Sequence, residues 1–173
     1  MANTYILISS SELNSTQTSV TFSSIPNTYT DLVVRISARS DRATTNNSIR
    51  LIFNSSSAAN YSYTGLIGSG STASFGTTSL NTLANFGSTE GSSNTANTFS
   101  SHELYIPAYA GSLTKPFSSF NTVENNTTAA EISTYANLWN NTSAISSITF
   151  TAAGTGVGFI SGSSFYLYGI KNS

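Results

Sequence analysis

The chain has no cysteine, three prolines and one histidine in 173 residues. The missing cysteines exclude disulfide staples, thiolate nucleophiles and cysteine-based metal sites, and leave the redox compartment open. Charge is scarce as well: Lys and Arg number six, Asp and Glu seven, and charged residues make up 8% of the chain, against roughly 25% in an ordinary globular domain. A net charge of −1 sets up no extended field for nucleic acid or an anionic membrane, so neither is an expected partner. No run approaches the ~18 apolar residues of a membrane-spanning helix. The first residues, Met1-Ala-Asn-Thr-Tyr-Ile-Leu-Ile-Ser9, lack a basic region and their apolar run is short for a secretory leader. The expectation is a protein made and folded in a cytoplasm.

What is abundant is Ser, Thr and Asn, residues that favour turns and caps over helix interiors, with Thr also at ease in strands. Aromatics at 12% argue against disorder. The clearest pattern is residues 31–42, where Leu32, Val34, Ile36 and Ala38 alternate with Val33, Arg35, Ser37 and Arg39. Period-two alternation gives a strand one dry face and one wet face, because successive side chains point to opposite sides. Similar short segments recur at 5–9, 19–23, 48–54, 61–68, 77–86, 98–107, 117–124, 131–139, 145–151 and 164–170. Polar, Gly- or Asn-rich stretches at 11–19, 41–47, 68–76, 87–96 and 154–158 read as loops, with 87–96 a mobile surface tip. Such spacing predicts an all-β protein with essentially no helix. The expected form is one domain over residues 1–173, a jelly-roll-like antiparallel β-sandwich of about 8–10 strands in two sheets of about four each. The first and last strands are expected to be neighbours.

Four of the six cations, Arg35, Arg39, Arg42 and Arg50, fall on the strand pair 31–39 and 48–54 or its connecting loop. They read either as a basic interface stripe or as a solvated or subunit-facing sheet surface balanced by Asp31 and Asp41. His102 stands beside Glu103, but neighbours on a strand point to opposite faces, so the two cannot form a dyad; a hydrogen-bonded structural histidine is expected. The seven carboxylates are scattered with no spacing that nominates a glycosidase pair, and no calcium loop or HExxH sequence occurs. No catalytic, cofactor-binding or metal-binding residue is therefore assigned, and the expectation is a protein that is not an enzyme. Tyr61, Tyr63, Tyr105, Tyr109 and Trp139 could stack on sugar rings if exposed; core or interface packing is the preferred reading. Triplets such as Asn14-Ser-Thr16 and Asn125-Asn-Thr127 are expected from composition alone, and none is read as glycosylated.

Several segments together carry a resemblance. They are the first ten residues, Phe22-Ser-Ser-Ile-Pro-Asn-Thr-Tyr-Thr-Asp-Leu32, Arg35-Ile-Ser-Ala-Arg-Ser-Asp-Arg-Ala43, Leu51-Ile-Phe-Asn54, Glu103-Leu-Tyr-Ile-Pro107, Val123-Glu-Asn-Asn126 and Leu167-Tyr-Gly-Ile-Lys-Asn-Ser173. The chain resembles, end to end, small virion structural proteins of tailed bacteriophages, especially those of marine bacteria and cyanobacteria. The pieces at 24–43 and the last seven residues are the specific ones. The resemblance implies a place in the virion, assembled in the host cytoplasm, and carries no catalytic motif or cofactor. It leaves two addresses: a capsid decoration (cement) protein bound to the major capsid protein or other virion proteins, or a tail-fibre or head-fibre module. In the fibre reading Tyr105, Tyr109 and Trp139 would be the residues to stack on host surface glycan. Closed oligomers are common on symmetric lattices, so a homotrimer is the expected state.

Overall fold

A computed structural model describes residues 4–124 and 130–171; the triplet at 125–127 and the outer ends of three of the resembling segments lie outside the described residues. Twelve strands are present: β1 (Tyr5–Glu12), β2 (Ser19–Phe22), β3 (Asp31–Ala38), β4 (Asn46–Phe53), β5 (Tyr61–Ser69), β6 (Thr72–Asn81), β7 (Ala84–Glu90), β8 (Ser100–Ile106), β9 (Lys115–Glu124), β10 (Ala130–Trp139), β11 (Ile148–Ala152) and β12 (Ser164–Ile170). Among the described residues there is no helix.

The strands form two antiparallel sheets. One has eight strands in the order β1-β12-β3-β8-β9-β10-β5-β6, and the other four in the order β2-β11-β4-β7. Setting aside β5, β6, β9 and β10 and renumbering the remaining eight strands along the chain gives the orders 1-8-3-6 and 2-7-4-5. That is the jelly roll, two Greek keys wound into facing sheets of four. The other four strands are two insertions, β5–β6 after β4 and β9–β10 after β8, which extend one sheet beyond β8. The first and last strands do pair, with Tyr5 opposite Ile170 and Glu12 opposite Ser164.

Three local expectations change. β3 and β4 are not a pair; they lie in different sheets, and residues 39–45 carry the chain across. The span 77–86 is not one strand but the end of β6 and the start of β7, which lie in different sheets. The Gly/Ser stretch 68–76 is a tight hairpin: β5 runs to Ser69, β6 starts at Thr72, and Gly70 takes φ +58° between them. Glycine at the first position of a two-residue hairpin turn suits the II′ geometry, whose twist matches the flanking strands.

Alternation decides which residues fill the gap between the sheets. Leu32, Val34, Ile36 and Ala38 of β3 are all buried, as are Ile49, Leu51 and Phe53 of β4. Val33, on the opposite side of β3, is buried too, flanked across the ladder by Tyr105 and Tyr168. Rings dominate the centre. Phe150 of β11 meets Phe86, Phe165 and Phe22 at centroid distances of 5.6, 5.8 and 6.4 Å. A second group joins Phe53 to Phe117 at 5.1 Å and to Trp139 at 5.4 Å. Edge-to-face and tilted rings at these distances add to the area they bury.

Phe150 touches both sheets and is fully buried, so Phe150→Ala should destabilise the domain by about 3–5 kcal/mol through lost transfer energy and a residual cavity. At roughly 2–4 °C per kcal/mol for a domain of this size, thermal unfolding should shift down by roughly 6–20 °C. A melt unchanged within 2 °C, on the order of a surface substitution, would show that the ring column is not central.

Candidate functional site

The four arginines do not form a stripe. Arg35 projects from the outer face of β3 and pairs with Glu103 at 3.1 Å, both side chains more than half exposed. A pair so open to water contributes little to stability. Arg50 lies on β4 in the other sheet, opposite Thr151 and Asn85, and its side chain makes no hydrogen bond or ion pair among the described residues. Arg42 sits in the loop after β3 and donates through Nη1 to Asn47 Oδ1 at 3.0 Å and to the Ala153 carbonyl at 3.1 Å. Nor do the aspartates serve the arginines. Asp31 accepts from the Tyr105 hydroxyl at 2.7 Å and the Ala108 N–H at 2.8 Å, while Asp41 accepts from the Gly158 N–H at 2.9 Å.

Arg39 departs furthest from the sequence reading, because it is 5% exposed. β3 has ended at Ala38, so the alternation no longer points this side chain outward. Its Nη1 donates to the carbonyls of Thr95 (2.6 Å) and Thr98 (3.1 Å) and to Thr98 Oγ1 (3.1 Å); Nη2 donates to the carbonyls of Asn94 (2.9 Å) and Ser92 (3.3 Å). One planar fork thus ties up four carbonyls of the β7–β8 connection, which strand pairing leaves without donors. This corrects the expectation of a mobile tip at 87–96: β7 continues to Glu90, and Gly91 and Asn94 are buried. Glu90, also buried, accepts from the Glu124 N–H at 2.7 Å and from the Asn94 amide. Burial raises its carboxyl above the usual range, with those hydrogen bonds pulling the other way.

His102 belongs to a second polar group, held between the sheets. Its Nδ1 lies 2.8 Å from Asn121 Oδ1 and its Nε2 2.7 Å from Ser100 Oγ, while the ring meets Phe86 edge-on at 5.9 Å. With the Asn121 oxygen assigned as acceptor, Nδ1 carries the proton and Nε2 accepts. Asn121 in turn donates to the Ser133 carbonyl at 3.3 Å, and Thr89 Oγ1 donates to the Ala38 carbonyl at 2.7 Å. Gly87 makes room for this group: at φ +144°, a Cβ there would lie 2.4 Å from Asn121 Cγ. Only 3% of His102 is exposed, and burial lowers its pKa from 6.5 to about 4, against the opposing pull of Asn121. The ring is a neutral, buried group. Among the described residues no group of three or more His, Asp and Glu could hold a metal ion.

The aromatics proposed for sugar stacking divide sharply. Trp139 and Tyr109 are fully buried, and so is Tyr61. Trp139 stacks on Tyr61 at 6.3 Å, Tyr61 Oη accepts the Phe53 N–H at 2.8 Å, and the Tyr109 hydroxyl donates to the Pro26 carbonyl. Tyr105 alone of the three glycan candidates is open, at 38% exposure.

What sequence reasoning missed is the outer face of the eight-stranded sheet. The registers place Arg35, Glu103, Phe120, Thr134, Leu66 and Phe75 in one row across β3, β8, β9, β10, β5 and β6. Phe75 is 78% exposed, Leu66 60%, Phe120 52% and Ile132 47%. Leu66, Phe120 and Ile132 border a shallow depression of about 360 Å³ over Gly68 and Ala73. Toward the β1 edge the same face adds Leu7, Tyr168 and Tyr105, one row over. Each residue looks isolated in its own strand, so only the pairing register reveals the patch. In comparisons with protein-family models, curated proteins and solved structures, nothing matches the chain.

Arg39→Lys keeps the charge but loses the fork. It should cost about 2–4 kcal/mol and speed amide exchange across residues 91–99 more than elsewhere, by the rules for breaking a buried, multiply bonded cation. Uniform exchange across the chain would show that the loop does not depend on Arg39.

The depressed pKa of His102 gives a pH dependence of definite sign. The unfolded chain takes up a proton near pH 6.5 and the folded one near pH 4, so stability falls as pH drops from about 6.5 to 4, by up to about 3 kcal/mol at 1.36 kcal/mol per unit. Glu90 and Glu131 are raised and work in the opposite sense, so the difference between wild type and His102→Gln isolates the effect. Denaturant midpoints whose difference is flat from pH 7 to 4 would refute it.

Proposed function

We infer that the protein is a bacteriophage virion structural protein, a decoration module that binds the head surface as an oligomer and stabilises the shell. The observation that carries this reading is the open apolar face centred on Leu66, Phe75, Phe120 and Ile132. Contiguous exposed apolar residues on a folded domain mark an interaction surface rather than an accident of composition. The resemblance noted in the segments at 24–43 and 167–173 supports the virion as its address. A near-neutral surface supports it too, because attachment by apolar burial depends little on ionic screening. The mechanism is mass action. A module that binds only assembled shell adds its binding free energy to the assembled state, and area buried at shell and subunit contacts sets the scale. Three-fold positions on such a shell would favour a homotrimer. The glycan-binding fibre reading is less favoured, since it retains Tyr105 of its three stacking residues while Tyr109 and Trp139 lie in the core.

Reconstruction of intact particles tests this directly. The expected result is many symmetric copies on the head with the eight-stranded sheet toward the shell; a few copies confined to the tail would overturn the reading. Phe120→Asp, at an exposed position, should leave melting unchanged and lower occupancy on stripped shells at least ~10-fold, the scale of one interface hot spot.

A further inference from the structure

A sheet has two edges, and strands at an edge present unpaired N–H and C=O groups that invite a further strand. Three of the four edges here are blunted. β1 is broken by a bulge between Leu7 and Ser9 and carries Glu12; β2 has only four residues; β7 bulges opposite Ile49 and Arg50. β6 is different. It is the last strand of the eight-stranded sheet, and β5 is its sole ladder partner among the described residues. From Thr72 to Thr78 its pairing with β5 is regular, and the bulge comes only beyond that stretch. No Asp, Glu, Lys, Arg, His or Pro occurs anywhere in residues 51–89, so the usual guards against edge pairing are absent.

We propose that β6 pairs antiparallel with β6 of a second copy across a two-fold axis normal to the sheet, with Phe75 opposite its own counterpart. Three observations fix this occupant and register. First, a two-fold axis through an edge makes the contact self-complementary, so one uncharged strand supplies both sides without like-charge repulsion. Secondly, the midpoint of the regular seven-residue stretch 72–78 is residue 75, so this register alone uses the whole stretch. Thirdly, residue 75 is the most exposed large apolar side chain of the described residues. Placed opposite itself on the outer face, each Phe75 ring covers the other, and Ala73 falls opposite Thr77. The two eight-stranded sheets become one continuous sheet of sixteen. Seven residues a side is a small contact, at the low end of interface sizes, so pairing is weak and concentration-dependent in solution. On a shell, where neighbours are held close, the same contact would link adjacent units. The contact does not rest on the virion reading, because it is measured in purified protein.

Disulfide trapping tests both occupant and register, helped by the absence of native cysteine. Ala73→Cys and Thr77→Cys keep Phe75 and lie opposite each other in the proposed pair, within disulfide reach; each residue is ~13 Å from its own counterpart, beyond that reach. Under mild oxidation, a mixture of the two variants should form the mixed dimer at least 10-fold faster than either variant dimerises alone. It should also outpace Leu113→Cys, an equally exposed loop control. Adding Phe75→Lys, which sets like charges opposite each other, should bring the mixed rate down to the control. Rates equal to the control throughout would overturn the proposal. So would faster trapping of Thr77→Cys with Leu7→Cys, which would mark a head-to-tail edge contact instead.

Discussion

Sheets in a sandwich pack about 10 Å apart, and this chain spans that gap with rings. Phe150 lies where Phe22 and Phe86 of its own sheet meet Phe165 of the other, and Phe53 plays the same part against Phe117 and Trp139. Everything else is hung on these two groups. A chain with 8% charged residues and no disulfide has few alternatives to apolar burial for its cohesion, and aromatic side chains carry the most area per residue lost to ordering. The two groups also explain why the insertions hold. β9 and β10 contribute Phe117 and Trp139 to the second group, so the extension of the large sheet is anchored to the core rather than appended to it. Farther out the small sheet no longer covers the large one. There Tyr135 closes over Gly65, where a Cβ would sit 2.5 Å from the ring, and Tyr63 packs edge-on at 5.6 Å.

The polar interior follows from the same composition. A sequence this rich in Ser, Thr and Asn cannot keep all its hydroxyls and amides at the surface. It groups them instead: Thr89, Ser100, His102, Asn121 and Ser133 form one connected set, and Arg39, Glu90, Asn94 and Glu124 another. Both sets lie where β7 packs against β8 and β9, at the joint between the jelly roll and its β9–β10 insertion. Paired donors and acceptors in a low-dielectric interior fix geometry more strictly than apolar contacts do, because a displaced partner leaves a costly orphan. The joint is therefore specified by hydrogen bonds, while the centre is specified by volume.

How much of this was legible in the sequence depended on whether one strand could be judged alone. β4 and β8 declare themselves, since each has one dry face and an uninterrupted alternation, and β3 does so from Val34 onward. His102 was also readable as a structural residue, because its neighbour Glu103 must point the other way. Failures came where tertiary pairing overrides local pattern. Residues 68–76 look like a flexible loop, but their glycine and small residues serve a two-residue turn and an edge strand. The break between β6 and β7 has neither Gly nor Pro to announce it. Arg39 looked like one more outward residue, yet the strand ends one position earlier. Trp139 and Tyr109, read in preference as core or interface packing, do lie in the core. The outer apolar patch was invisible for a different reason: Phe120, Ile132, Leu66 and Phe75 come from four strands, and only register sets them side by side.

Two properties of the molecule then belong together. A β protein that remains single must keep its apolar surface divided and its edges guarded. This one guards the jelly-roll edges and leaves the inserted hairpin uncharged, with its longest apolar row running out to the unguarded strand. The contrast falls on the boundary between the jelly roll and the added strands, which bury Phe117 and Trp139 in the core and expose Leu66, Phe75, Phe120 and Ile132 on the outer face. Cohesion comes from rings the core encloses, and the contacts proposed above would be made by residues the insertions expose. Because the contact proposed for β6 involves no charged residue, salt would have little leverage on it, and the concentration of neighbours would be the variable that governs it.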